Sequence, residues 1–269
     1  MTVKPITDAE FALFQRFIFD AAGITMADAK KALVMGRLGK RLMHHGMDTF
    51  GAYFQLLTSG DHPQEVQLAV DLLTTNETYF FREIKHFDFL RQQVQAARSR
   101  SGGYRLWSAA SSTGEEAYSM AMVMADLMPS QPWEIVGTDI STRVVQAARR
   151  GLYPMERGRH IPPDYLRRFC RKGIEEYTGY FLIERSLRNR VGFAHANLND
   201  HLPEMGLFDM VWLRNVMIYF NLETKREVVA RVLGKLKPGG YFCVGHSESL
   251  NGLTQAVRVV APSIYQKVG

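Results

Sequence analysis

YRLWSAASSTGEEAYSMAM, residues 104–122, passes from a short apolar run through a Ser/Thr/Gly turn into a helix opened by Glu115 and Glu116. Strand, tight turn and helix in that order form half of a parallel βαβ unit, and the pattern recurs downstream. WEIVGTDI, VGFAHANL, FDMVWLRNV and YFCVGHS are further short apolar runs, and STRVVQAARR and LETKREVVARVLGKL are helical by period. The alternation predicts an α/β fold: a mostly parallel sheet covered by helices on both faces. The last two segments, YFCVGHSES and VRVVAPSIYQKV, are separated by a loop too short for a helical crossover, which predicts an antiparallel edge. Between Arg157 and Arg190 the alternation breaks down into the Gly- and Arg-rich stretch RKGIEEYTGYFLIERSLRNR, with room for a small β insert at about 158–190.

Upstream the composition changes. Residues 1–72 read as helices and turns, a separate N-terminal helical domain ahead of a domain spanning 73–269. AEFALFQRFIFDAAG ends at Gly23, a C-cap signal, and DAKKALVMGRLGKRLMHHG runs to Gly46. In the second helix Val34, Leu38 and Leu42 share one face, while Lys30, Arg37, Arg41 and His44 form a basic stripe displaced from it. Such a stripe is either a solvated face or a docking face for an acidic helix. DTFGAYFQLLTSGD and PQEVQLAVDLLTTNET read as two more helices, the latter with Pro63 in its first turn.

At 269 residues and 46% hydrophobic content the chain buries a sizeable core. Cys170 and Cys243 belong to no CxxC or His-containing ligand pattern, so neither a disulfide scaffold nor a metal site is expected, and a reducing cytoplasm fits. The start, MTVKPITDAEF, lacks the features of a signal peptide, and no apolar run approaches the roughly 18 residues that span a bilayer. A soluble monomer is expected. The net charge of +6 gathers in two places: Lys30, Lys31, Arg37, Lys40 and Arg41 near the start, and twelve Lys/Arg against five Asp/Glu between Arg143 and Arg190.

Open α/β sheets bind ligands beyond the carboxyl ends of their strands, so the residues following each strand are the candidate site. After the first strand there is neither GxGxxG nor GxxxxGK[ST], and the acidic pair at the helix start repels phosphate and suits a cationic group such as an amine or sulfonium. The second strand ends at Asp139, placed to accept hydrogen bonds from ribose hydroxyls or to cap the next helix. The third ends at Asn197 and Leu198, an amide and an apolar wall for adenine. The fourth ends in LRNVMIYF, where Arg214, Asn215 and Tyr219 interrupt an apolar run; a buried arginine there needs a carboxylate. Together these describe a phosphate-free nucleoside with an amino-acid-like end, as in S-adenosylmethionine. TTNETYFFRE, residues 74–83, precedes the first strand and is placed to fold over the crevice, polar groups inward and aromatics excluding water.

TTNETYFFRE, LWSAASSTGEEAYSMAM, GTDIS, ANL, FDMVWLRNVMIYF and PGGYFCVGHSESL, in that order, resemble the motifs of the CheR family of bacterial chemotaxis receptor methyltransferases, with a similar helical domain before them. One departure is Ala117, where the family pattern has proline. The resemblance implies a Rossmann-like class I methyltransferase sheet with a small β-subdomain insert, preceded by an all-α domain. It implies an S-adenosylmethionine-dependent O-methyltransferase, with S-adenosylhomocysteine as product, that esterifies glutamates on the cytoplasmic helices of chemoreceptors. Implied cofactor contacts are Asn76, Thr78, Arg82, Glu115, Asp139, Asn197, Leu198, Arg214 and Asn215, with Arg82 and Tyr219 near the transferred methyl. Arg37, Lys40 and Arg41 then become candidates for docking the receptor helix, the insert a possible grip on a receptor tether. Two rivals are a methyltransferase for another substrate and a non-catalytic S-adenosylmethionine sensor. The [DN]PP[YF] run expected for DNA base methylation is replaced here by Asn215-Val216-Met217-Ile218, and no aromatic-lined basic groove for nucleic acid is evident.

Overall fold

The computed structural model describes residues 3–97 and 102–268. Four helices come first: α1 (Asp8–Ala22), α2 (Lys31–His44), α3 (Phe50–Thr58) and α4 (Pro63–Leu73). Helix α1 starts in a capping box, in which Thr7 accepts from the Glu10 amide while Glu10 reaches back to the Thr7 amide, and it stops at Gly23, whose φ of 70° suits glycine. The apolar faces of the four helices, including Phe14 and Ile18 of α1, Val34, Leu38 and Leu42 of α2, Tyr53 of α3 and Val70 of α4, close on one another as a single buried cluster. This cluster is distinct from the two that cover the sheet.

The elements that follow are α5 (Ile84–Ala97), β1 (Tyr104–Ser108), α6 (Glu115–Leu127), β2 (Trp133–Asp139), α7 (Thr142–Arg150), β3 (Leu152–Pro154), α8 (Pro163–Phe169), β4 (Cys170–Lys172), β5 (Tyr180–Ile183), α9 (Arg185–Arg188), β6 (Val191–His195), β7 (Phe208–Leu213), α10 (Leu222–Gly234), β8 (Leu236–Val244), β9 (Val257–Ala261) and β10 (Ile264–Lys267). Seven strands form one sheet in the order β6-β2-β1-β7-β8-β10-β9, parallel from β6 to β8 and antiparallel at β10 and β9. Helices α5 and α6 bury one face of it and α10 the other. This is the α/β architecture expected from the alternation of strands and helices, and the Rossmann-like sheet implied by the family resemblance. No helix among the described residues is long and apolar enough to cross a membrane.

Three details differ from the expectation. Residues 84–97 form a helix that the alternation left unassigned; its inward positions Phe87, Leu90, Val94 and Ala97 recur at helical spacing and pack with α6. VRVVAPSIYQKV is a hairpin rather than one strand: the chain reverses at Pro262-Ser263, with Ser263 at φ 60°, so that β10 pairs β8 and β9 lies outermost. The small antiparallel sheet, in the order β3-β5-β4, begins ahead of residue 158, because Gly151 at φ 61° turns the chain out of α7 directly into β3.

Candidate active site

From β1 the chain winds outward to β2 and β6, then returns to the other side of β1 as β7. The loops leaving β1 and β7 therefore diverge, opening a crevice at the carboxyl ends of the strands. A pocket of about 950 Å³, counting the solvent at its mouth, lies there. Its walls come from every strand end read as a site in the sequence: Ala109, Ala110 and Ser112 after β1, Asp139 and Ile140 after β2, Ala196 to Leu198 after β6, and Arg214 to Val216 with Tyr219 after β7. The segment from Leu73 to Thr78, with Arg82, crosses over it, and Ala22 and Ile24 at the end of α1 complete the rim.

Asp139 is 7% exposed, and each of its carboxylate oxygens accepts one backbone amide, Oδ1 from Ser141 at 3.0 Å and Oδ2 from Ser112 at 2.8 Å. A carboxylate oxygen has two lone-pair positions, so two acceptor positions are left for a ligand. Burial pushes this carboxyl above its ordinary range, against the pull of the two amides. Asn197 donates to the Ala21 carbonyl at 2.8 Å and accepts from the Asn199 amide at 3.0 Å, fixing its loop to the end of α1. Leu198 is a buried apolar wall.

The covering segment is held from behind. Phe80 and Phe81 are buried in the core, Phe80 edge-on to Tyr153 at 5.1 Å and Phe81 against Phe87 at 4.9 Å. Only Tyr79 stays at the surface, tilted against His160. The aromatics thus anchor the segment instead of sealing the crevice, while Asn76 and Thr78 face the pocket between them. Ser112 Oγ donates to the Asn76 carbonyl at 2.8 Å. Arg82 donates Nη1 to the Glu77 carbonyl at 3.0 Å and lies 5.7 Å from the Tyr79 ring centre, leaving the rest of its guanidinium to the pocket.

Arg214 does find carboxylates, but they belong to the protein. Its side chain is 1% exposed, with Nη1 on Glu116 at 2.8 Å and Nη2 on Glu83 at 2.9 Å. Burial drives the Glu116 carboxyl up despite the arginine, whereas at Glu83 the arginine outweighs burial and brings it down. Glu83 also receives Asn215 Nδ2 at 3.3 Å, and Asn215 sits at φ 57°, its amide 2.7 Å from Glu248. Glu248 takes the amides of Ile218 and Gly245 as well, so one carboxylate shapes the whole loop leading to Tyr219. Glu83, His86 and His246 each bring a potential metal ligand within 4.8 Å of the others. A cation there would have to displace Arg214 from Glu83, and buried His86 is pushed down to about 3 by burial and by the same arginine.

Two further sequence expectations require correction. Glu115 does not line the pocket; it is fully buried, ion-paired with Arg157 and accepting from Thr113 Oγ1 at 2.6 Å, and its neighbour Glu116 takes the wall position. Successive helical residues point about 100° apart, so only one of the pair can face the crevice. Of the three docking candidates, Arg41 is bound at 2.7 and 2.5 Å to buried Glu65, which also accepts from Tyr53. Arg37 donates to the carbonyls of Leu73 and Thr74 at 3.1 and 2.9 Å, at the start of the covering segment. Lys40 alone of the three is exposed. Glu83 and Glu248 were not foreseen as site residues because they act through contacts distant in sequence; the need of a buried Arg214 for a carboxylate was the available signal.

The pocket fits a phosphate-free nucleoside: an acidic acceptor at the end of β2, an apolar wall, and no glycine-rich phosphate loop. Residues 76–265 match the family model described as CheR methyltransferase, SAM binding domain, and residues 9–74 match the model described as CheR methyltransferase, all-alpha domain. The chain is 40% identical over 263 residues to the chemotaxis protein methyltransferase of Escherichia coli K12, covering 97% of this chain and 91% of that one. It is 37% identical to the chemotaxis protein methyltransferase of Salmonella typhimurium LT2, covering 97% and 90%, and 37% identical to chemotaxis protein methyltransferase 2 of Pseudomonas aeruginosa PAO1, covering 96% and 93%.

Proposed function

Since the chain belongs to the CheR methyltransferase family, with S-adenosylmethionine as its cofactor, we propose that it esterifies glutamate side chains on the cytoplasmic helices of chemoreceptors. When bound, the cofactor supplies an electrophilic methyl group on a sulfonium. A substrate glutamate, with an ordinary pKa near 4.3, is already ionised at neutral pH, so the residues need to orient and desolvate it rather than deprotonate it.

Asp139 would hold the ribose through its two open acceptor positions, with Leu198 and Asn197 along the adenine and Asn76 and Thr78 closing over the nucleoside. Arg82 and Tyr219 stand in the same pocket wall and are the candidates for orienting the incoming carboxylate. A full bidentate clamp would draw charge from the attacking oxygen. Arg82 has Nη1 committed to the Glu77 carbonyl, which favours a contact along one edge only. Docking of a glutamate-rich helix rests on the exposed Lys30, Lys40 and His44 rather than on Arg41, whose charge is spent on Glu65.

The observation that carries this reading is the meeting, in one pocket, of an acidic strand end with acceptor positions to spare and the pair Arg82 and Tyr219. The test is incubation with methyl-labelled cofactor and a receptor cytoplasmic fragment, followed by mild base. Label released as methanol identifies a carboxyl methyl ester. Label retained after base means another acceptor atom, and binding without transfer means a sensor.

A further inference from the structure

Helix α7 starts with Ser141 in the cap position, yet the Ser141 hydroxyl caps nothing and is buried without a partner. The amide donors of the first turn are shared between two carboxylates. Asp139 takes the Ser141 amide. Asp71, from α4 of the helical region, takes the next two, Thr142 at 3.0 Å and Arg143 at 3.1 Å. Asp71 also accepts from Thr142 Oγ1 at 2.8 Å and Gln67 Nε2 at 2.8 Å. Each of its oxygens therefore has two donors, and all four lone-pair positions are filled in a residue 2% exposed. Gln67 spans the same junction, donating to the Ile140 carbonyl at 2.9 Å.

An uncapped helix start, with its amide hydrogens and positive end, attracts any carboxylate within reach. If Asp71 did not occupy the Thr142 and Arg143 amides, they would compete for the carboxylate already bonded at the adjacent Ser141 amide. The geometry points to Asp71 as a positioning residue that satisfies the start of α7 from outside the sheet and so keeps two acceptor positions of Asp139 open for ribose hydroxyls. The inference rests on the proposed nucleoside site. It makes the cofactor pocket depend on the helical region, so a partner seated on that region would reach the pocket through α4.

The test is calorimetric binding of S-adenosylhomocysteine and of its 2′-deoxy analogue to the full chain, as wild type and Asp71→Asn. Wild type should lose about tenfold in affinity on removal of the hydroxyl, the scale of one charge-assisted hydrogen bond. The variant should bind the parent nucleoside about tenfold more weakly and discriminate against the deoxy form by less than about threefold. Equal weakening toward both ligands, which a merely structural role would give, overturns the inference, as does affinity within about twofold of wild type. Wild type that binds neither nucleoside sinks the proposed function as well, a result distinguishable from the others. Should Asp71→Asn not fold, Thr142→Val withdraws one of the four donors; it should show the same narrowing of discrimination at smaller amplitude, and unchanged discrimination would refute the idea.

Discussion

Arg214 carries a full charge at 1% side-chain exposure, and its stability is owed to Glu83 and Glu116 on either side. Removing one member of such a group leaves the others buried and unpaired, which costs more than the group ever contributed. Arg214→Met should therefore destabilise the protein by about 3–5 kcal/mol, read as a lower denaturant midpoint at unchanged slope. At this scale the sequence was legible where chemistry alone selects a residue. Asp139 closes an apolar strand and Arg214 interrupts one, and either position is hard to explain as core. It was not legible where geometry selects between neighbours: Glu115 and Glu116 are chemically identical, and only the rotation of α6 turns one to Arg157 and the other to Arg214.

Helix α2 shows how an element assigned correctly can be misjudged in its surface. Its period placed Val34, Leu38 and Leu42 in the core, as found, but a period does not reveal that Arg41 lies against a buried carboxylate from α4. Burial raises the Glu65 carboxyl, but hydrogen bonds from Arg41, Tyr53 and His45 outweigh it and hold it down to about 2. A carboxylate whose folded pKa lies below its unfolded value of 4.5 contributes stability that is complete above that value and is lost as the pH falls toward about 2. Acid titrations of unfolding free energy should show this loss between those limits, and Arg41→Ala should flatten the slope there while lowering stability at neutral pH. An unchanged slope would mean that the pair does not control Glu65. The segment 74–83 was legible as a cover from its composition, whereas the burial of Phe80 and Phe81 depends on Tyr153 and Phe87, which no local pattern could supply.

For the whole molecule, the alternation of strands and helices was enough to foresee the sheet, its antiparallel edge and the crevice at its carboxyl end. What it could not show is how the helical region meets the sheet: through Asp71 and Gln67 at the start of α7, Asn197 at the Ala21 carbonyl, and the amide of Thr25 at the Tyr219 carbonyl. On α2, Arg37 is bonded to Leu73 and Thr74, which line the pocket, and exposed Lys40 follows about one turn later on the same helix. Charge at Lys40 should accordingly act on a protein substrate and not on the cofactor. Lys40→Glu is expected to lower kcat/KM for a receptor fragment by about 3- to 10-fold at low salt, with less effect at high salt and unchanged cofactor affinity; equal kinetics at low salt would remove the docking role. Whether the crevice between the β1 and β7 loops holds a sulfur nucleoside is decided by a crystal structure of the full chain grown with S-adenosylhomocysteine. Ribose hydroxyls should lie within hydrogen-bonding distance of Asp139, with the amino-acid end on the Arg82 side; the nucleoside bound elsewhere, with Asp139 bonded only to Ser112 and Ser141, would refute that site.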